Sequence, residues 1–85
     1  MFYMYILQSK ITKEFYIGFA LDLTQRLLKH NIGLVQSTKH AKPWEVIYYE
    51  AYRSKKDALI REKQLKRFAK GFPMLKRRLQ NSLML

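Results

Sequence analysis

The sequence contains no cysteine, and no low-complexity segment or linker interrupts its 85 residues. Without thiols the chain can form neither a disulfide framework nor a zinc site with thiolate ligands. Hydrophobic residues make up 48% of the sequence and aromatic residues 14%, enough for one compact core but not for two. We therefore expect a single domain over residues 1–85, held by its core and suited to a reducing, cytoplasmic setting.

Long apolar runs are also missing. The run at the N-terminus, MFYMYIL, is seven residues long, whereas a membrane-spanning helix needs about 20. No basic segment precedes it, as would be expected in a signal peptide. We expect a protein that does not insert into membranes.

Acidic residues are scarce: six Asp and Glu stand against 17 Lys and Arg, for a net charge of +11. Residues 1–52 hold six basic and four acidic groups, whereas residues 53–85 hold eleven and two, so most of the excess lies in the C-terminal third. Such a field attracts polyanions by counterion release. Nucleic acid is the expected partner, ahead of an anionic membrane surface, because the basic stretch lacks a broad apolar face.

Hydrophobic periodicity divides the chain into six elements. FYMYIL and FYIGF are rich in aromatic and aliphatic residues and are separated by a polar stretch, as the strands of a hairpin are, and the period of two puts Tyr3, Tyr5 and Leu7 on one side of the first strand. WEVIYYEAY has the aromatic and β-branched character of a third strand. The remaining regular segments repeat at the helical period. The pattern predicts an α+β fold, a three-stranded antiparallel sheet flanked by helices in the order β-β-α-β-α-α. The predicted strands cover residues 2–7, 15–19 and 44–52, and the predicted helices cover 23–31, 55–69 and 73–80.

Two basic residues, Arg26 and His30, lie one turn apart on the first predicted helix. At the helical period they border an apolar stripe formed by Leu23, Leu27 and Leu34. An arginine can bind a phosphate through two hydrogen bonds, and a histidine can move a proton near neutral pH. The alternative is that both are long side chains at the edge of the core.

Glu62 falls inside the apolar arc of the second predicted helix, between Ala58 and Leu59. A carboxylate there is costly unless a cation or a hydrogen-bond donor faces it. Magnesium often takes only one or two protein carboxylates and fills its other positions with water and substrate oxygens, so Glu62 is a candidate metal ligand. The alternative is an ordinary surface ion pair with Lys66, one turn further on.

The same helix carries a stripe of cations beside its apolar arc. A contiguous basic ridge on one helix favours nucleic-acid binding over a merely soluble face. In the polar segment 32–43 we expect His40 to be solvated, and we expect Trp44 to pack in the core, with base stacking as the alternative. The basic ridge consists of Lys56, Lys63, Lys66, Arg67 and Lys70.

Seven short segments spread over residues 3 to 70 follow one another in a characteristic order. They are Tyr3-Met4-Tyr5, Tyr16-Ile17-Gly18, Asp22-Leu23, Arg26, His30-Asn31, Pro43-Trp44 with VIYYE, and ALIREKQLKRF, which contains Glu62. In this order and spacing the chain resembles the GIY-YIG nuclease superfamily, in particular its small stand-alone bacterial members.

The resemblance implies a metal-dependent DNA endonuclease. Tyr5 and Tyr16 would contact the attacking water and the scissile phosphate, one of them as general base. Arg26 would stabilise the pentavalent phosphate, and His30 would assist proton transfer. Glu62 would hold a magnesium or manganese ion.

Some positions depart from the family pattern. The first half-motif lacks its glycine and has Met4 in place of isoleucine, and Ala20 stands where a small hydroxyl residue is common. Gly18 is kept, and the resemblance implies that it lets the backbone approach its neighbours. The sequence contains no separate DNA-recognition domain, so cleavage is expected to select DNA structure rather than sequence, in repair or recombination.

Two other functions fit the same residues. One is a non-catalytic nucleic-acid-binding module with the same fold and the same basic ridge. The other is an interaction protein whose charged helix docks an acidic partner. Glu62 favours the nuclease, because a carboxylate among the cations of a pure binding surface would repel phosphate.

Overall fold

The computed structural model describes residues 1–67 and 71–83, and within them the predicted order β-β-α-β-α-α is confirmed. Residues 39–41 add one short 3-10 turn between the first helix and the third strand. No helix in these two ranges is long and apolar enough to cross a membrane. The strands are β1 (Phe2–Ser9), β2 (Phe15–Ala20) and β3 (Trp44–Tyr52), and the helices are α1 (Leu23–Asn31), α2 (Lys55–Arg67) and α3 (Gly71–Arg78).

The sheet is antiparallel with strand order β2-β1-β3, so the first strand lies at its centre. Tyr5 is opposite Gly18 on one neighbouring strand and Tyr49 on the other. A central strand whose two faces are both covered buries successive residues, and residues 4–9 of β1 are all buried. This explains why FYMYIL reads as a nearly continuous apolar run.

Each face of the sheet has its own core. Met4 and Ile6 pack with Leu65 and Leu75 under α2 and α3. The alternate residues, among them Tyr5, face the other way, toward Trp44, α1 and the segment that follows it. The predicted alternation along β1 and the predicted burial of Trp44 are therefore confirmed.

Helix α1 begins and ends at residues that fix its position. The Asp22 carboxylate accepts a hydrogen bond from the Gln25 N–H at 3.1 Å, which satisfies one of the free N–H groups of the first turn. Beyond the C-terminal end Gly33 has a φ of +81°. The chain turns there, so Leu34 is 68% exposed, and its predicted place on the apolar stripe is wrong.

Candidate active site

A fully buried tyrosine hydroxyl lies at the centre of the site. Tyr5 points from the central strand toward α1, and its hydroxyl lies 2.8 Å from His30 Nε2. Arg26 Nε–H donates to the same hydroxyl oxygen at 3.3 Å. Helix α1 therefore brings Arg26 and His30 into contact with the Tyr5 hydroxyl.

His30 is fully buried, so it lies on the predicted side of the helix but deeper than a position at the border of the apolar stripe implies. The segment after α1 folds back over the ring, and Thr38 Oγ1 lies 2.7 Å from His30 Nδ1. Burial, with a smaller contribution from the Arg26 charge, lowers the pKa of His30 to about 4. The ring is consequently neutral at neutral pH, with one nitrogen that can accept a proton.

Burial also acts on Tyr5. It raises the pKa of the Tyr5 hydroxyl to about 12, although the hydrogen bond and positive charge of Arg26 oppose this. The hydrogen bond to Tyr5 in turn raises the pKa of Arg26. Tyr5 is therefore a phenol at neutral pH and can act as a base only if its own proton leaves at the same time, toward His30.

Tyr16 borders this buried group from the edge strand. Its ring is half-buried and lies with its centroid 5.0 Å from the His30 ring and 6.4 Å from the Tyr5 ring. Lys66 Nζ lies 5.5 Å from the centre of the Tyr16 ring. The second tyrosine thus joins the buried residues to helix α2.

Glu62 lies on α2, which packs against the opposite face of the sheet from Tyr5. The Glu62 side chain is 17% exposed, and Lys66 Nζ donates to Glu62 Oε2 at 3.1 Å. The ion pair between Glu62 and Lys66, given above as the alternative to a metal site, is therefore present. The same Lys66 Nζ lies 5.5 Å from the centre of the Tyr16 ring, so Glu62 is connected to the edge tyrosine through Lys66. Tyr5, Tyr16, Arg26 and His30 lie together, and Lys66 links Glu62 to this group at Tyr16.

Glu62 is the one member of the predicted site that offers a carboxylate to a divalent cation. The described part of the chain has no group of three or more His, Asp or Glu that could hold a metal ion. Glu62 Oε2 is engaged by Lys66, whereas Oε1 accepts no hydrogen bond from the described residues. Magnesium needs only one or two carboxylates, and the Lys66 side chain is exposed enough to move aside.

Only a glycine fits at position 18, because the Tyr5 ring packs against its backbone. A Cβ on Gly18 would overlap Cζ and the hydroxyl of Tyr5 more closely than real side-chain contacts allow. The expected close approach at this glycine is therefore made by a side chain rather than by backbone. The absence of a side chain lets the hydroxyl reach α1.

A groove of about 320 Å³ runs beside Arg26 between the end of β2 and α1. Arg26 and Lys29 give it positive charge, opposed by Asp22 at the N-terminus of the helix. Phe19 and Gln25 contribute an aromatic ring and an amide to its wall. An anionic strand in this groove would lie against Arg26 and Lys29.

The predicted basic ridge is largely in place. Four of its members are exposed on α2, and the fifth, Lys70, lies outside the described residues. His40 is exposed as expected, and its Nε2 lies 3.2 Å from Glu14 Oε2. The four exposed members are Lys56, Lys63, Lys66 and Arg67.

Two polar groups escaped the sequence analysis. Thr38 lies in a segment read as a polar loop, yet it is fully buried, and nothing in its immediate sequence signals this. On the other face, Glu50 accepts hydrogen bonds from the hydroxyls of Tyr48 and Tyr52 and from Arg61. Although burial opposes it, these donors hold the pKa of Glu50 below its usual value. The alternation of Tyr48, Glu50 and Tyr52 along β3 could have indicated this polar cluster from the sequence.

Comparison with known proteins identifies the family. A family model described as the GIY-YIG catalytic domain matches residues 1–71, so the chain belongs to the GIY-YIG family. A catalytic domain of this nuclease family implies a nucleic-acid substrate and supports endonuclease activity.

The chain is also similar to small bacterial proteins of the UPF0213 group. A UPF0213 protein of Staphylococcus saprophyticus is 36% identical over 69 residues, covering 80% of this chain and 83% of that protein. One from Streptococcus pyogenes is 36% identical over 66 residues, covering 76% and 71%. The solution NMR structure of a UPF0213 protein from Bacillus halodurans aligns with a TM-score of 0.56 at 27% identity, covering 94% of this chain and 86% of that one.

Proposed function

We propose that this protein is a divalent-metal-dependent endonuclease that hydrolyses phosphodiester bonds in DNA. The observation that carries the proposal is the Tyr5 hydroxyl, which is bonded to both Arg26 and His30, while Lys66 links the Glu62 carboxylate to the neighbouring Tyr16 ring. A cationic donor, a neutral imidazole and a nearby carboxylate together make a set of groups suited to phosphoryl transfer.

The residues of the chain would move one proton and bind one phosphate. A water oxygen forms a bond to phosphorus while the bond from phosphorus to the leaving sugar oxygen breaks. The water gives a proton to the Tyr5 oxygen as Tyr5 passes its own proton to His30 Nε2, and the leaving oxygen takes a proton from solvent. Arg26 neutralises the phosphoryl oxygens.

Access to Tyr5 requires one movement. The residue is fully covered in this structure, and the partly exposed Arg26 lies over its hydroxyl. A phosphate in the adjoining groove would draw the guanidinium outward and open the hydroxyl to water, beside the half-buried ring of Tyr16.

Glu62 would hold the magnesium or manganese ion through the carboxylate oxygen that Lys66 leaves free. When bound there, the ion would stabilise negative charge on the phosphate and on the leaving oxygen. Lys66 would then be released to the substrate backbone, as part of the basic ridge.

The proposed substrate is DNA recognised by its backbone, with selection of structure rather than sequence, in repair or recombination. The cations of the ridge contact phosphates, and phosphate contacts carry no sequence information. Branched, nicked and single-stranded DNA are the forms to compare, because they expose phosphates in geometries that a small domain can reach.

The proposal is tested by incubating the purified protein with labelled flaps, junctions, nicked duplex and single strands, with manganese, magnesium or EDTA. We expect metal-dependent cleavage of at least one substrate by the wild-type protein. Glu62→Gln and Tyr5→Phe should abolish cleavage and leave DNA affinity largely unchanged. Asp57→Asn, an exposed carboxylate in the first turn of the same helix, should cleave normally.

The second candidate is a non-catalytic nucleic-acid-binding module, and the ion pair between Glu62 and Lys66 favours it. In such a module the pair would be a permanent structural contact. Salt-dependent DNA binding without nicking under any metal condition would establish this function instead. Failure to bind any DNA or RNA at low salt would point to an acidic protein partner.

A further inference from the structure

Thr38 places a buried hydroxyl next to His30, on the side of the ring opposite Tyr5. Thr38 and His30 are both fully buried, and Thr38 Oγ1 lies 2.7 Å from His30 Nδ1, on the side of the ring away from Tyr5. Neither the sequence motifs nor the family match gives this threonine a role.

The hydrogen bonds around these groups can run in only one direction. Arg26 Nε–H donates to the Tyr5 oxygen, so the Tyr5 hydrogen is available for another acceptor. His30 Nε2 at 2.8 Å is the one acceptor within reach of it among the described residues. Were Nε2 protonated, a fully buried Tyr5 hydroxyl would keep a hydrogen without a partner, which is costly.

The hydrogen bonds of Thr38 support the same direction of donation. Thr38 Oγ1 also lies 3.4 Å from the carbonyl oxygen of Val35, a group that can only accept. The threonine hydrogen can therefore go to Val35, while its oxygen accepts the hydrogen on His30 Nδ1. Donation then runs without interruption from Arg26 through Tyr5, His30 and Thr38 to the backbone.

We propose that Thr38 is a positioning residue that fixes the proton of neutral His30 on Nδ1 and so keeps the lone pair of Nε2 directed at the Tyr5 hydroxyl. When His30 receives the Tyr5 proton, its Nδ1–H still donates to Thr38, so the imidazolium keeps a partner on each side. The catalytic consequence rests on the proposed function, whereas the tautomer is a property of the folded protein itself.

Backbone contacts hold the threonine in place. Trp44 Nε1–H donates to the Thr38 carbonyl at 2.8 Å, and the Thr38 N–H donates to the Val35 carbonyl at 3.1 Å. The Ala41 N–H also bonds the Thr38 carbonyl, at 3.2 Å. The hydroxyl consequently belongs to a fixed turn, and residues 32–43 form the rear wall of the site.

The tautomer can be measured directly by ¹⁵N NMR of the histidine side chains in the wild-type protein near pH 7. We expect His30 to show a protonated Nδ1 and an unprotonated Nε2, with the exposed His40 as internal reference. A proton on Nε2 of His30 would overturn the proposal. This measurement needs neither a substrate nor a variant, so it decides the tautomer even if no DNA is cleaved.

Two variants of matched shape test the role in cleavage. Thr38→Val removes the hydroxyl and keeps the volume, so the Nε2–H form of His30 should become populated and kcat should fall about 10- to 100-fold with KM little changed. Thr38→Ser keeps the hydroxyl and should restore the tautomer and most of kcat. Thr38→Val with the wild-type tautomer, or with wild-type kcat and pH profile, would overturn the positioning role. Inactivity of the wild-type protein would count against the proposed function instead.

Discussion

At the scale of single residues, a histidine that is neutral in the folded protein makes stability depend on pH. The pKa of His30 is about 4 in the folded state against an ordinary value of 6.5. Between these values the unfolded chain binds a proton that the native protein does not. Stability is therefore fully present above pH 6.5 and falls as the pH is lowered toward 4, by on the order of 3 kcal/mol.

Urea unfolding measured from pH 7.5 to pH 4 checks this expectation. His30→Gln should lower the free energy of unfolding at pH 7 and remove most of its pH dependence in this range. His40→Gln, at an exposed position, should retain the wild-type slope. Equal slopes in wild type and His30→Gln would show that another group titrates.

Gly18 is a second position where a single added carbon atom would change the site, because it would displace the Tyr5 ring. Gly18→Ala places a methyl group where the Tyr5 ring lies, and such overpacking costs about 1–3 kcal/mol. We expect that loss in the free energy of unfolding, together with a displaced Tyr5 ring and cleavage reduced at least tenfold if the protein is the proposed nuclease.

The matched glycine is Gly33. Gly33→Ala also loses stability, because φ there is +81°, but it should leave the Tyr5 ring resonances unchanged. A Gly18→Ala protein with wild-type stability and an undisturbed Tyr5 would contradict the packing described here.

At the scale of elements, helix α1 is joined to β3 by the side chain of Asn31. Its Nδ2–H donates to the Trp44 carbonyl at 3.0 Å, and its Oδ1 accepts from the Trp44 N–H at 2.6 Å. Asn31→Ala leaves both backbone groups unpaired, so we expect a loss of about 2 kcal/mol in the free energy of unfolding. Leu28→Ala, on the exposed side of the same helix, should cost far less. Similar losses for the two variants would refute the anchoring role.

The elements were predictable because local patterns determine them. The two sides of β1 can be read from the sequence, and both are present in the structure. The burial of His30 was not predictable, because helical periodicity describes one helix and the residues that cover His30 belong to the segment after it. Leu34 was misplaced for a related reason: periodicity does not extend past the turn at Gly33.

For the candidate site, the sequence supplies the residues but not their arrangement. Spacing and family resemblance assembled Tyr5, Tyr16, Arg26, His30 and Glu62, because each lies in a recognisable motif. The hydrogen bonds among them depend on tertiary packing. Thr38 shows this most clearly, since a threonine in a polar segment carries no sign that its hydroxyl will meet a histidine ring.

At the scale of the whole molecule, positive charge is concentrated in the C-terminal third of the chain, and four of its cations form the ridge on α2. We expect the affinity for duplex DNA to fall steeply with salt, because each phosphate contact releases counterions. The double variant Lys63→Gln with Arg67→Gln should weaken binding and reduce the slope of log affinity against log salt by about 2. Fluorescence anisotropy at several salt concentrations measures both quantities.

A control of equal charge change is available in the turn between β1 and β2. Lys10→Gln with Lys13→Gln removes two exposed cations from outside the ridge, and binding should change much less. An equal loss of affinity in both double variants would mean that total charge, rather than the ridge, binds the DNA.

The central claim is that Glu62 brings a divalent cation against the tyrosines of the hairpin. Manganese broadens nearby NMR signals, so a titration followed on the tyrosine rings locates the ion without requiring cleavage. We expect the signals of Tyr16 and Tyr5 to broaden at lower manganese concentrations than those of the exposed Tyr49, and this preference to disappear in Glu62→Gln. Broadening that is unchanged in Glu62→Gln, or that is centred on other residues, would contradict the claim.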